Sequence, residues 1–147
     1  MSDEIVRLLV FRVGTLACAA DAAIVREILP RLVLTRIPGA PPVISGLANV
    51  RGSLVTVVAG WRALKQPRPE TDQPDGTTIL LELAGRRVVG LAVDEVIDLL
   101  SVAGATLEPG LALAGIDATL VRAVGRRAGQ LFVVLDTDAL LAPMFTS

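Results

Sequence analysis

The sequence predicts an all-β fold of two small barrels packed around a shared apolar core, with short helices that include one at the C-terminus. Three observations carry this. Short runs rich in Val, Ile and Leu recur along the chain, separated by glycine-containing turns. A polar, proline-rich segment at 67–76 divides those runs into two groups of roughly five. The 147 residues are 52% hydrophobic, with mean hydropathy +0.64, enough for one core but not two large ones. We therefore expect a single domain over 1–147, with approximate subdomains 1–66 and 77–147 joined by 67–76.

The elements follow in order. Ile5 to Val13 is aliphatic, interrupted by Arg7 and Arg12, and reads as a strand. Gly14-Thr15 is a turn, and Leu16 to Ala20 a second strand. Ile24 to Leu29 fits either one helical turn or a short strand, and Pro30 ends either. Leu32 to Ile37 is a further β-type run. Pro38 to Pro42 cannot form a regular strand, because proline has no amide hydrogen for a ladder. Val43-Ile44-Ser45 reads as a helical turn. Leu47–Val50 and Leu54–Val58 form a hairpin around Arg51-Gly52-Ser53. Trp61 to Lys65 reads as a short helix. Beyond the linker, Thr78–Ala84 and Arg87–Val93 flank a turn at Gly85-Arg86, and Val96–Val102 is another strand. Ala103 to Ala118 is irregular. Leu120–Val124 and Leu131–Leu135 flank Gly125–Gln130, and Asp136 is placed to cap a closing helix at Thr137–Leu141.

Composition excludes several functions. The chain has no histidine, no tyrosine and one cysteine. It therefore lacks an imidazole base, a Ser-His or Cys-His nucleophile pair and a Cys/His metal site. Cys18 lies among small apolar residues and reads as a buried hydrophobe. The net charge of −1 gives no drive toward nucleic acid. Its distribution is uneven: residues 1–66 hold eight Arg/Lys and four Asp/Glu, residues 67–147 six and eleven. The longest uncharged run, Ile37 to Val50, contains three prolines, so no membrane-spanning helix is expected. The acidic start and the absence of a leader-like run point to the cytoplasm.

Few residues can do chemistry. Asp94, Glu95 and Asp98 are candidates for acid/base work or a hard metal, but they also fit a strand edge kept polar against aggregation. Asp136-Thr137-Asp138 after an apolar run is similar to the Asp-Thr-Gly of aspartic proteases, with Asp in the third position. An aspartate-dependent hydrolase using Asp94 or Asp136 is therefore an alternative to a binding role. Arg86-Arg87 and Arg126-Arg127 sit in turns without aromatic neighbours and read as solvated. No enzyme, cofactor or metal is expected.

The segment from Ile37 to Gly52 is the most strongly specified, with two turn clusters around a short apolar core and a terminal Arg-Gly pair. Val25-Arg26-Glu27-Ile28, Ile37-Pro38-Gly39-Ala40-Pro41 and Gly46-Leu47-Ala48-Asn49-Val50-Arg51-Gly52 resemble, in order and spacing, the CheW-like chemotaxis coupling family. So does Val89-Gly90-Leu91-Ala92-Val93-Asp94-Glu95-Val96, as does Leu131–Asp136 with Ala139-Leu140-Leu141. The resemblance covers nearly the whole chain. It implies two SH3-like five-stranded barrels and a non-enzymatic adaptor. Such an adaptor links the cytoplasmic tip of a chemoreceptor to the regulatory domain of a CheA-type histidine kinase, in receptor-associated clusters that can include other CheW-like proteins. It implies that a receptor helical hairpin docks in a groove between the barrels. Carried over by position, the receptor-binding residues are Val25, Glu27, Gly46 and Arg51, with Pro38, Gly39 and Gly52 shaping turns.

The chain departs from the family pattern just beyond that segment. Thr56 stands where proline is usual, and Ala59-Gly60 replaces Asp-Leu. The following helix should therefore lack a side-chain cap, a loss of ~1 kcal/mol. This divergent run bears on the kinase contact. It points to a second reading, an accessory adaptor that binds receptor but holds the kinase weakly or not at all.

Overall fold

The computed structural model describes residues 4–67, 76–109 and 116–145, which form two sheets with a joint core. Strand β1 (Ile5–Val13) turns at Gly14-Thr15 into β2 (Leu16–Asp21). A 3-10 turn at Ala22–Ile24 leads to β3 (Val25–Pro30), so the ambiguous Ile24–Leu29 run becomes mostly strand. Strands β4 (Ile44–Val50) and β5 (Ser53–Ala59) make the expected hairpin, and α1 (Gly60–Ala63) follows. Then come β6 (Thr77–Glu82), β7 (Val88–Val93) and β8 (Glu95–Ala103). The two-residue β9 (Glu108–Pro109) precedes β10 (Val121–Arg127), β11 (Gln130–Leu135) and α2 (Thr137–Leu141).

The first sheet has the order β8-β1-β2-β11-β10-β9, and the second β3-β6-β7-β5-β4. Each contains one parallel pair, β2 with β11 and β5 with β7, among antiparallel neighbours. The second sheet has the expected five strands. The first gains a sixth through β9.

Strand membership follows a different division from the expected break at 67–76. Strands β1 and β2 join β8 to β11, while β3 to β7 form the other sheet. The reason is legible in β1. Alternate side chains point to opposite faces. Leu9, Phe11 and Val13 enter the core shared with Val58, Ile79, Leu81 and Leu91 of the second sheet, while Leu8 and Val10 pack with Ala19, Phe132 and Val134. A strand apolar on both faces needs cover on both, and β1, between β8 and β2, has one face in the core shared with the second sheet and the other in a cluster within the first. Residues 68–75 of the expected linker lie outside the described residues, as do 110–115 of the irregular stretch.

Two local readings are corrected. Val43-Ile44-Ser45 is not a helical turn, because Ile44 and Ser45 already belong to β4. Leu32 to Ile37 forms no strand, and only Thr35 pairs, as an isolated bridge to Leu47. Ile44 pairs with Val58 in the β4–β5 ladder, whereas in the Leu32–Ile37 run Leu32 and Leu34 are half-buried and Val33 is 94% exposed.

Candidate functional site

Strands β3 and β4 are the two edges of the second sheet, yet the chain between them brings those edges together. Thr35 donates to and accepts from Leu47, with both backbone hydrogen bonds at 2.8 Å. This bridge curls the five strands toward a closed barrel, the arrangement that removes exposed edges. Gly46 makes the approach feasible. Its φ is +152°, and a Cβ there would lie 2.6 Å from the Thr35 carbonyl oxygen and 3.2 Å from Leu34 Cβ. Gly46 is also buried, so the close backbone approach it permits is made by residues 34–35 of the same chain.

A second link crosses the same seam. Arg51 Nη1 donates to Glu27 Oε1 at 2.6 Å, and Nη2 to Oε2, a two-pronged guanidinium–carboxylate pair. Glu27 lies on β3, and Arg51 lies in the turn joining β4 to β5. Arg51 and Gly52 have φ of +52° and +86°, the left-handed region that a two-residue hairpin requires. The Asn49 side chain accepts the Gly52 amide at 2.8 Å and fixes that turn. The Arg51 hydrogen bond holds the Glu27 carboxyl below its ordinary range, and Glu27 in turn raises the Arg51 guanidinium. Glu27 is half-buried and Arg51 exposed, with side-chain exposures of 28% and 71%. The pair therefore presents the guanidinium to solvent while anchoring it from below.

Beside the seam, on the inner side of β3, lies a groove of about 740 Å³ where the two sheets meet. Its apolar lining includes Ile5, Leu9, Val25, Ile28, Ile97 and Leu99, and Arg7, Asp21 and Asp98 supply charge. Ile5, Ile28 and Leu99 stay 64%, 45% and 50% exposed, a row of large side chains left uncovered. Of the four expected receptor-binding residues, only Val25 lines this groove. Glu27, Gly46 and Arg51 form the seam on the same barrel. Sequence reasoning missed Thr35, Ile28 and Leu99. The exposed aliphatics at alternate strand positions were the available signal, but strand polarity cannot be assigned without knowing which face is covered.

The remaining expected residues fall as follows. Pro38 and Gly39 occupy a tight turn in which Ala40 N donates to Ile37 O at 3.2 Å, with Gly39 at φ +79°. Thr56 lies within β5, opposite Leu47. Ala59 stands at the N-cap of α1 and makes no side-chain cap bond, as expected. Gly60 fits closely against β7, since a Cβ would lie 2.5 Å from Ala92 O.

The acidic candidates serve structure. Asp94 lies between β7 and β8, where the chain passes from one sheet to the other. Its carboxylate accepts Gly14 N at 2.5 Å, its own N–H donates to Arg12 O at 3.0 Å, and Arg12 also binds Glu95 at 3.1 Å. Asp98 is bonded by Arg127 at 2.9 Å and by the Leu99 amide, both of which lower its pKa. Asp136 accepts Ala139 N at 3.0 Å and caps α2. Among the described residues, no three of His, Cys, Asp and Glu form a group able to hold a metal ion. No helix among them is long and apolar enough to cross a membrane.

Comparison with known proteins completes the picture. A family model described as the CheW-like domain matches residues 7–143. The "Chemotaxis protein CheW" of Klebsiella aerogenes is 28% identical over 135 residues, covering 91% of this chain and 80% of that protein. The protein of the same name from Rhizobium meliloti is 28% identical over 136 residues, covering 90% and 85%. The crystal structure of the scaffolding protein TtCheW from Thermoanaerobacter tengcongensis superposes with a TM-score of 0.82 at 22% identity, covering 90% of each chain.

Proposed function

We propose a function from one premise: this chain belongs to the CheW-like family. It is a non-enzymatic cytoplasmic adaptor of a chemosensory array, coupling a chemoreceptor's cytoplasmic tip to the regulatory domain of a CheA-type kinase. The observation that supports this most is the uncovered apolar groove between the sheets, flanked by the Glu27–Arg51 seam. A receptor helix would place its apolar stripe against Val25, Ile28 and Leu99. Arg51, held by Glu27, would present a fixed positive charge at the edge of that contact and select among partners.

A second reading is favoured by the α1 region. Ala59 leaves α1 without a side-chain cap, and Gly60 packs closely against β7 where the family pattern has Leu. On that reading the chain is an accessory adaptor that keeps the receptor and binds the kinase weakly.

Co-purification with a receptor tip and, separately, with the kinase regulatory domain tests both. Glu27→Lys and Arg51→Glu should each weaken receptor capture. Retention of receptor by both variants would remove the site assignment. Capture of the kinase domain as tightly as by an unmodified family member with the Asp-Leu pair would remove the accessory reading.

A further inference from the structure

The charge of the segment from Glu27 to Glu70 is one-sided. Between Glu27 and Glu70 the sequence holds Arg31, Arg36, Arg51, Arg62, Lys65 and Arg68 and no carboxylate. Arg51 is matched by Glu27. Among the described residues, neither Arg36 nor Arg62 has a carboxylate partner. Arg62 instead lies over the Trp61 ring, 4.3 Å from its centroid.

These two arginines border one depression. A hollow of about 500 Å³ is lined by Arg36, Pro41, Ser45, Ala59, Trp61 and Arg62. A smaller hollow of about 220 Å³ adjoins it, also walled by Ser45, Ala59 and Trp61, and runs inward past Leu34, Val57 and Val93. The outer lobe is cationic, and the inner lobe presents Leu34, Val57 and Val93 together with the polar Thr77 and Thr78 and the charged Arg31 and Asp94. The two meet at Ala59, where the small side chain leaves the passage open and where the family pattern would have put a carboxylate. This face is distinct from the groove beside β3, and the inference does not rest on the coupling reading.

We propose that the two-lobed cleft around Trp61 is a docking site for an acidic segment of a protein partner that inserts one aliphatic side chain. The carboxylates pair with Arg36 and Arg62 in the outer lobe, and the aliphatic group passes Trp61 into the inner lobe. Charge complementarity selects the occupant, because an acidic segment meets two guanidiniums that have no carboxylate partner among the described residues. A basic or neutral segment gains nothing in the outer lobe. The short contact makes the affinity weak for an isolated segment, in the range of ~1 mM.

Trp61 is the single tryptophan, so its emission reports on this cleft alone. The full chain is titrated at low salt with the blocked peptide Glu-Glu-Leu-Glu-Glu, then with Lys-Lys-Leu-Lys-Lys and Glu-Glu-Gly-Glu-Glu. The expected result is a saturable change with the first peptide, much less with the glycine peptide and none with the lysine peptide. Arg36→Glu should weaken binding about tenfold, whereas Arg122→Glu on the first sheet leaves it unchanged. Sedimentation run in parallel should show a monomer at the concentrations used. No saturable change up to ~10 mM peptide overturns the proposal. So does an equal response to the lysine peptide, indifference to Arg36→Glu, or self-association that Arg36→Glu abolishes, which would assign the cleft to a second copy of the chain.

Discussion

Replacing Gly46 by alanine tests whether the seam is held by backbone contact. The new Cβ would sit 2.6 Å from Thr35 O, where ordinary contact begins at about 3.4 Å. The obstacle is backbone, so no flexible side chain can yield. The barrel can open locally and lose the two Thr35–Leu47 hydrogen bonds, at ~0.5–1.5 kcal/mol each. Alanine at φ +152° adds ~1–3 kcal/mol of backbone strain. Reduced freedom in the unfolded chain returns ~0.4–1 kcal/mol. The net loss is roughly 3 kcal/mol. With an unfolding entropy of about 2.1 cal/mol/K per residue, a chain of 147 residues should lose ~10 °C in Tm. Gly52→Ala is the control. Its φ is +86°, but a Cβ there meets nothing within 4 Å, so only strain of ~1 kcal/mol acts, or ~3 °C. Scanning calorimetry gives both values, and hydrogen exchange at the Thr35 and Leu47 amides locates the change. A Gly46→Ala Tm within ~2 °C of the parent, or no lower than that of Gly52→Ala, would refute the reasoning.

Three further outcomes are expected. Burial pushes the Cys18 thiol from 9.0 up to about 12. The folded state thus holds that proton more tightly than the unfolded state, and the stability this provides is full below pH 9.0 and lost as pH rises toward 12. Native-state labelling by a disulfide reagent near neutral pH should be limited by opening and accelerate on denaturation. Glu27, Asp98 and Asp117 have lowered pKa values, caused first by the Arg51, Arg127 and Thr119 hydrogen bonds respectively. Their stabilisation is present above the ordinary values of 4.5, 3.8 and 3.8 and is lost as pH falls below them. Tm against pH should therefore drop on the acid side, and Glu27→Gln should make that drop shallower. Gly60→Leu, which restores the family residue, should lower Tm, because its Cβ would lie 2.5 Å from Ala92 O and such overpacking costs ~1–3 kcal/mol. An unchanged melting curve would show that α1 shifts freely away from β7.

The legible parts of this fold were those set by local chemistry. Strand β1 was located to the residue because its aliphatic run ends at Gly14, and α2 because Asp136 caps it. The β4–β5 hairpin was marked by Arg51-Gly52, though β4 begins three residues before its expected start. Sheet membership was not legible. Which sheet β1 joins depends on what covers Leu8 and Leu9 from opposite sides, and that is settled only when distant strands meet. The same holds for the seam. Glu27 and Arg51 read as opposite charges able to pair, but nothing local shows that they link the two edges of one sheet or that Thr35 lies against Gly46.

That placement changes what a mutation at these positions can prove. A residue that contacts a partner and a residue that shapes the surface beneath it both abolish binding when replaced. Gly46 is buried under Thr35, so its loss acts first on the barrel. Arg51 is exposed and retains donors beyond those given to Glu27, so it can act in both ways. The pair can be separated by exchanging the charges. Glu27→Arg with Arg51→Glu keeps opposite charges across the seam while reversing the sign shown to solvent. If the double exchange restores both Tm and receptor capture, the pair serves closure alone. If it restores Tm while capture stays lost, the Arg51 charge is read by the partner. Gly46→Ala should lose the two properties together, because it has no side chain with which to touch anything but its own backbone.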